Sequence, residues 1–147
     1  MSTRSNIAIL NNDGTVTTIY CHWDGYPSYN GKILAEYYNT TDKVTELIKY
    51  GDLSSLQPNI SPTAPHSFEE PQQDVCIYYH RDRGDDWEEV KPKTYNSLID
   101  LCNSLNGSWI EYLYVYIGGD WWYWDIYHNK SIAIDHLQTE LDHIDQQ

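Results

Sequence analysis

Phenylalanine is almost missing from this chain: one Phe stands against fourteen Tyr and six Trp in 147 residues. Nearly every large ring therefore carries a polar tip, which suits positions that are apolar at one end and hydrogen-bonded at the other. Cations are scarce too, nine Lys and Arg against 22 Asp and Glu, for a formal net charge of -13. That balance excludes a basic footprint of the kind that nonspecific nucleic-acid and anionic-membrane binders need, so direct nucleic-acid binding is not expected. Basic protein partners stay open, as does an acidic mimic of nucleic acid with carboxylates spaced like phosphates. The three cysteines, Cys21, Cys76 and Cys102, show no C-x-x-C spacing, which argues against both a disulfide framework and a zinc knuckle and points to a reducing compartment. Nowhere do 18 apolar residues run together, and "MSTRSNIAIL" has no apolar core of signal-peptide length, so a soluble intracellular protein without membrane association is expected.

Catalytic signatures are lacking as well. No GxSxG, Walker or Rossmann glycine pattern occurs, and His80-Arg81-Asp82 matches the kinase catalytic-loop tripeptide without the asparagine or glycine loop that must accompany it. The acidic run from Asp82 to Glu89 lacks the calcium-loop spacing. No metal and no cofactor is expected.

What is present reads as one domain, 1–147, of α+β class. "SNIAIL", "NNDG" and "TVTTIYCHW" predict a β-hairpin, because an Asp-Gly turn between β-prone runs is a strong local signal. A second hairpin is predicted around Gly118-Gly119-Asp120, in "WIEYLYVYIGGDWWYWDIYH". Helical spacing predicts a helix over 29–50, with "NTTD" at 39–42 offering a fresh N-cap that could split it and Gly51 a stop. Residues 52–74, with four prolines among Ser, Asn and Gln, read as a long Pro/Ser-rich loop. "DVCIYYHRDR" reads as a third strand, Thr94 as the cap of a short helix with Leu98, Ile99, Cys102 and Leu105 as its apolar stripe, and Ile134, Leu137, Leu141 and Ile144 as a last amphipathic helix. The expected order is ββαβαββα: a mainly antiparallel sheet built around two hairpins, with about three helices on its purely apolar face. The opposite, helix-free face would then display tyrosines, including Tyr114 and Tyr123, as a ligand or homodimer surface.

Two stretches repeat a Tyr-x-His-x-Asp row, Tyr20, His22 and Asp24 in the first and Tyr78, His80 and Asp82 in the second. If both rows share a sheet face, His22 and His80 could act as acid and base, with Asp24 and Asp82 orienting them and Arg83 steadying developing charge, as in a small hydrolase or phosphodiesterase-like enzyme. Arg4, Arg81 and Arg83 could instead hold a phosphate or carboxylate, with a nucleotide base stacked on a tyrosine. Each has a plainer reading: a histidine at a strand end is usually a hydrogen-bonded structural residue, and arginines amid so much acid usually form local salt bridges.

"MSTRSNIAI", "YCHWDGYPSYNGKIL", "GDLSSL", "HSF" and "YYHRDRGDDW", in that order and spacing, resemble a family of small, uncharacterised accessory proteins from tailed bacteriophages and prophages. The similarity covers roughly residues 1–90 well and the remainder weakly, through the Trp/Tyr hairpin. It implies expression in the cytoplasm of a bacterial host and an accessory role acting on that host, without implying an activity. By its blocks, the candidate ligand-binding positions are Arg4, His22, Asp24, His66, His80, Asp82 and Arg83, to which the tyrosine face adds Tyr114 and Tyr123. The expectation is a non-enzymatic binding protein of host-takeover or anti-defence type that engages a host protein or a small anionic or nucleotide ligand.

Overall fold

A computed structural model describes residues 2–146. The first hairpin forms as its turn predicts: β1 (Ser5–Leu10) and β2 (Val16–Cys21) pair antiparallel, with Ile7 opposite Ile19. The second, β6 (Tyr112–Ile117) and β7 (Asp120–Asp125), sets Leu113 opposite Trp124 and Tyr114 opposite Tyr123. Between the hairpins the chain is more broken than its periodicity suggests. A π-helical turn at Pro27–Gly31 leads into α1 (Lys32–Tyr37), and the Thr40 hydroxyl accepts the Lys43 N–H to start α2 (Thr41–Lys49), so the "NTTD" cap does split the helix. Then come β3 (Leu53–Ser55), β4 (Ile77–Tyr78), α3 (Tyr79–Arg83), α4 (Trp87–Val90), β5 (Lys93–Tyr95) and α5 (Leu98–Leu105). After the second hairpin, β8 (Asp135–His136) precedes α6 (Leu137–Asp145). The fold is α+β, with eight strands and six α-helices among the described residues.

The sheet is mixed rather than mainly antiparallel, in the order β4-β3-β2-β1-β6-β7-β8. Each hairpin is antiparallel internally, but β6 lies parallel to β1 and β3 parallel to β2. Turn chemistry fixes pairing within a hairpin; pairing between distant strands follows the crossovers, and a crossover carrying helices, such as α1 and α2 between β2 and β3, returns the chain in parallel.

The expected helix-free tyrosine face does not exist. The period-two division holds, with Leu113, Val115 and Trp124 on one side and Tyr114, Tyr116, Trp121 and Tyr123 on the other, but the tyrosine side is the main core. It packs with Leu34, Val44, Leu47, Leu137 and Leu141 of α1, α2 and α6, while Leu101, Cys102 and Leu105 of α5 cover the aliphatic side. Tyr114 is wholly buried and Tyr123 is 8% exposed, so neither presents a ligand surface. Their burial is possible because the polar tips find carbonyls that the secondary structure leaves free. The Tyr114 hydroxyl donates to Gly25 O at 2.6 Å, Tyr78 to Leu47 O at 2.6 Å, and Trp121 Nε1 to Tyr38 O at 2.8 Å. Leu47 lies in the last turn of α2 and Tyr38 closes α1, where carbonyls lack intrahelical donors.

Other departures are local. Ser97, not Thr94, caps α5 by accepting the Asp100 N–H, and Thr94 lies in β5. Ile99 is 56% exposed, with Leu101 taking its place in the stripe. α6 begins at Leu137, leaving Ile134 outside it. No helix among the described residues is long and apolar enough to cross a membrane.

Tyr114→Phe keeps the ring and strands the Gly25 carbonyl. The expected loss is about 1–2 kcal/mol of unfolding free energy in urea titrations, against no change for Tyr127→Phe, whose ring is exposed. Equal stabilities for both variants would show that the buried hydroxyl is not needed.

Candidate functional site: a notch in the edge of β2

The second Tyr-x-His-x-Asp row is not a strand. The Asp82 carboxylate reaches back to accept the Tyr78 N–H at 2.7 Å, which ends β4 and starts α3, and Gly84, at φ +84, closes that helix. Asp82 is also the centre of a buried knot. Arg81 Nε donates to it at 2.9 Å and Nη2 at 3.1 Å, while Nη1 donates to Ile60 O and Nη2 also to Cys76 O. His66 Nδ1 accepts the Gln72 N–H, which places the ring proton on Nε2, 3.3 Å from Asp82 Oδ2. These contacts fasten residues 57–76 to α3, so the 52–74 segment contains β3 and is pinned rather than a free loop.

Burial pushes the Asp82 carboxyl up, but the Arg81 guanidinium, the Tyr78 N–H and His66 outweigh it and hold it below the usual carboxylate range. The other expected site residues also have structural partners. Arg83 makes a two-point contact with Asp85 at 2.7 Å and lies over the Phe68 and Tyr79 rings. His80 Nδ1 faces Asp85 O at 2.7 Å, with Trp87 against its ring. Asp24 sits at φ +58 in the turn after β2, where its backbone carbonyl accepts the Asn30 N–H and its carboxylate faces Tyr26 rather than His22. The two histidines thus have separate partners, and β3 lies between the strands that lead to them. No acid–base pair assembles from His22 and His80.

A different constellation does assemble, around Arg4. The outer edge of β2 is shared: Val16–Thr18 pair with β5, and Cys21 pairs with β3. Neither neighbour covers the backbone between, and the Tyr20 N–H is taken instead by Asp52 Oδ1 at 2.9 Å. A buried strand donor must find an acceptor, and here a side chain supplies it. Gly51 puts Asp52 there: its φ of +87 and the 2.4 Å that a Cβ would leave to Val90 O admit only glycine, and the Asp52 N–H donates to that same carbonyl at 2.8 Å.

The notch opens into a bay of about 320 Å³ lined by Asn6, Thr18, Tyr20, Asp52, Lys93, Tyr95 and Ser108. Through Tyr20, Ser108 and Ile110 it runs into a cleft beside Arg4 and Trp109, and then into an outer bay of about 290 Å³ with Tyr127, Glu111 and Lys130. The three form one groove. Trp109 is 82% and Tyr127 60% exposed, and the Arg4 guanidinium lies 5.9 Å from the Trp109 ring centroid. His22 stands behind it. The Arg4 charge acts on the Tyr20 hydroxyl, which lies 2.6 Å from His22 Nδ1. Burial, then Arg4, holds His22 below the usual histidine range, so it stays neutral and able to accept.

Burial is also the largest influence on Asp52; the Tyr20 N–H and Lys93 oppose it without cancelling it, and the carboxyl is raised to about 6. Of the sequence-expected residues, Arg4 lines this groove and His22 buttresses it. Asp52, Lys93, Trp109, Tyr127 and Lys130 come from four separate regions that no short motif connects. Among the described residues no group of three His, Cys, Asp or Glu is arranged to hold a metal. No protein-family model, curated protein or solved structure matches the chain.

Two stability measurements separate the knot from the groove. Asp82→Ala leaves the Arg81 guanidinium without its carboxylate and is expected to cost about 3 kcal/mol at pH 7. The folded pKa of Asp82 lies below the unfolded value near 3.9, so its contribution is present above that pH and is lost as pH falls through the folded pKa; urea titrations at pH 7 and pH 3 should show the variant's deficit shrinking. Asp52 has the opposite sign. The folded state keeps its proton up to about pH 6 while the unfolded chain releases it near 3.9, so stability declines as pH rises through that window. Asp52→Asn, which can still accept the Tyr20 N–H, is therefore expected to be more stable by about 3 kcal/mol at pH 7.5 and nearly unchanged at pH 4 in thermal melts. A destabilised variant at pH 7.5 would show that the carboxylate is paired in the folded protein.

Proposed function

We propose that the chain is a non-enzymatic binding protein for a small anion bearing a planar ring, of nucleotide type, and that it serves as a phage accessory protein in the host cytoplasm. One observation carries the ligand class. Five of the nine cations, Lys32, Lys49, Arg81, Arg83 and Lys91, are within ion-pair distance of carboxylates. The other four, among the described residues, are Arg4, Lys43, Lys93 and Lys130, and three of these four line the one groove. Lys93 acts on Asp52 from beyond ion-pair distance; in a chain of net charge -13, cations that form no ion pair among the described residues and are gathered along a groove are available to an anionic ligand. Exposed Trp109 and Tyr127 beside them supply stacking surfaces for a ring. Concave sites of a few hundred Å³ with a few convergent polar groups are the usual form of small-molecule sites.

Non-enzymatic binding is favoured because His22 and His80 are engaged separately and Asp82 and Arg83 are held in structural pairs. The phage setting rests on the sequence blocks alone.

The test follows Trp fluorescence on titration with nucleoside mono-, di- and triphosphates, for the wild type and for Arg4→Ala and Lys130→Ala. Saturable quenching is expected in the wild type and at least about ten-fold weaker binding in Arg4→Ala, the scale of a lost charged hydrogen bond. No binding at millimolar nucleotide, or equal binding by Arg4→Ala, would overturn the reading.

A further inference from the structure

The ligand's other end can be inferred from what the notch lacks. Asp52 Oδ1 accepts the Tyr20 N–H and keeps a second lone pair, and no group among the described residues donates to Oδ2. The carboxylate borders the bay, at the opposite end of the groove from Lys130. An ionised carboxylate only accepts hydrogen bonds, so what completes it must donate. Other polar groups there are already engaged: Asn6 Nδ2 donates to Thr18 Oγ1, and the Thr18 hydroxyl donates to Ile7 O. Asp52 is the one carboxylate lining the bay among the described residues, and Tyr20, Tyr95 and Ile110 offer flat or apolar walls around it.

We infer that Asp52 is a specificity residue that reads a nucleobase edge with two adjacent N–H donors, the guanine edge, while Arg4 and Lys130 hold the ligand's anion. This rests on the groove being the ligand site. A guanine ring presents N1–H and N2–H side by side to one carboxylate. Hypoxanthine offers only the first, and adenine presents a bare ring nitrogen that an ionised carboxylate repels. Burial raises the Asp52 carboxyl to about 6, only partly offset by the Tyr20 N–H and Lys93, so the group is ionised at neutral pH and gains from a further donor.

Isothermal titration calorimetry of the full chain at pH 7.5 with guanosine, inosine and adenosine monophosphates tests it, using wild type, Asp52→Asn and Arg4→Ala, each checked by near-UV circular dichroism. The wild type is expected to bind GMP at least about ten-fold more tightly than IMP or AMP, the usual worth of a two-point base contact. Asp52→Asn should lose that preference while staying folded, and Arg4→Ala should weaken all three ligands together. If the three nucleotides bind equally, or if Asp52→Asn keeps the preference while Arg4→Ala still weakens binding, the Asp52 assignment falls and the groove reading stands. If no nucleotide binds the wild type, both fall.

Discussion

The fold depends on one kind of contact, made repeatedly: the polar tip of a buried aromatic ring donating to a backbone carbonyl. Tyr114, Tyr78, Tyr38, Trp121 and Trp124 each bury a large ring and donate to the backbone of a different segment at 2.6–2.8 Å. Phenylalanine would supply the same apolar area without the donor that these carbonyls use. The contacts also fix orientation, because a hydroxyl must reach a particular oxygen, which a purely apolar core does not require. A core of this kind makes short, irregular helices tenable. α1 has only six residues, and Trp121 and Tyr38 between them secure its end and the segment beyond it.

Against this well-satisfied interior, the edge of β2 stands out. Its two partners, β5 and β3, approach from different parts of the chain and leave a gap that Asp52 fills with a single hydrogen bond. Filling a backbone gap with a carboxylate imports a charge where it is only partly solvated, a cost that an asparagine would avoid. Three cations that form no ion pair among the described residues line the same groove, in a chain where acid predominates. Both features are explained together if the charges await a ligand.

Much of the fold was legible because its signals are local. The two hairpins, the period-two division of β6 and β7 into faces, the Thr40 cap and the stop at Gly51 all follow from residues within a few positions of one another. The misread strand at 78–82 shows the limit. Its alternation matched a strand, but the Asp82 carboxylate competes for the Tyr78 N–H and turns the backbone into a helix. The candidate site fared less well. Arg4 and His22 were visible in sequence blocks, whereas Asp52 sat inside what reads as a loop and Trp109 and Lys130 outside any motif. His66, Asp82 and Arg83 looked like chemistry because they are the residue types chemistry uses; the tertiary contacts commit them to holding the long segment in place.

By itself the sequence determined the α+β class, the hairpins, the faces of the strands and the rule that buried rings must hydrogen-bond, since each depends on short-range stereochemistry or on composition. Only the tertiary structure decided that β1 and β6 run parallel, that helices cover the tyrosine face, and that Asp52, Arg4, Lys93 and Trp109 border one groove. Those outcomes depend on which distant segments share an edge or a face, and that is settled by the packing of the whole chain at once.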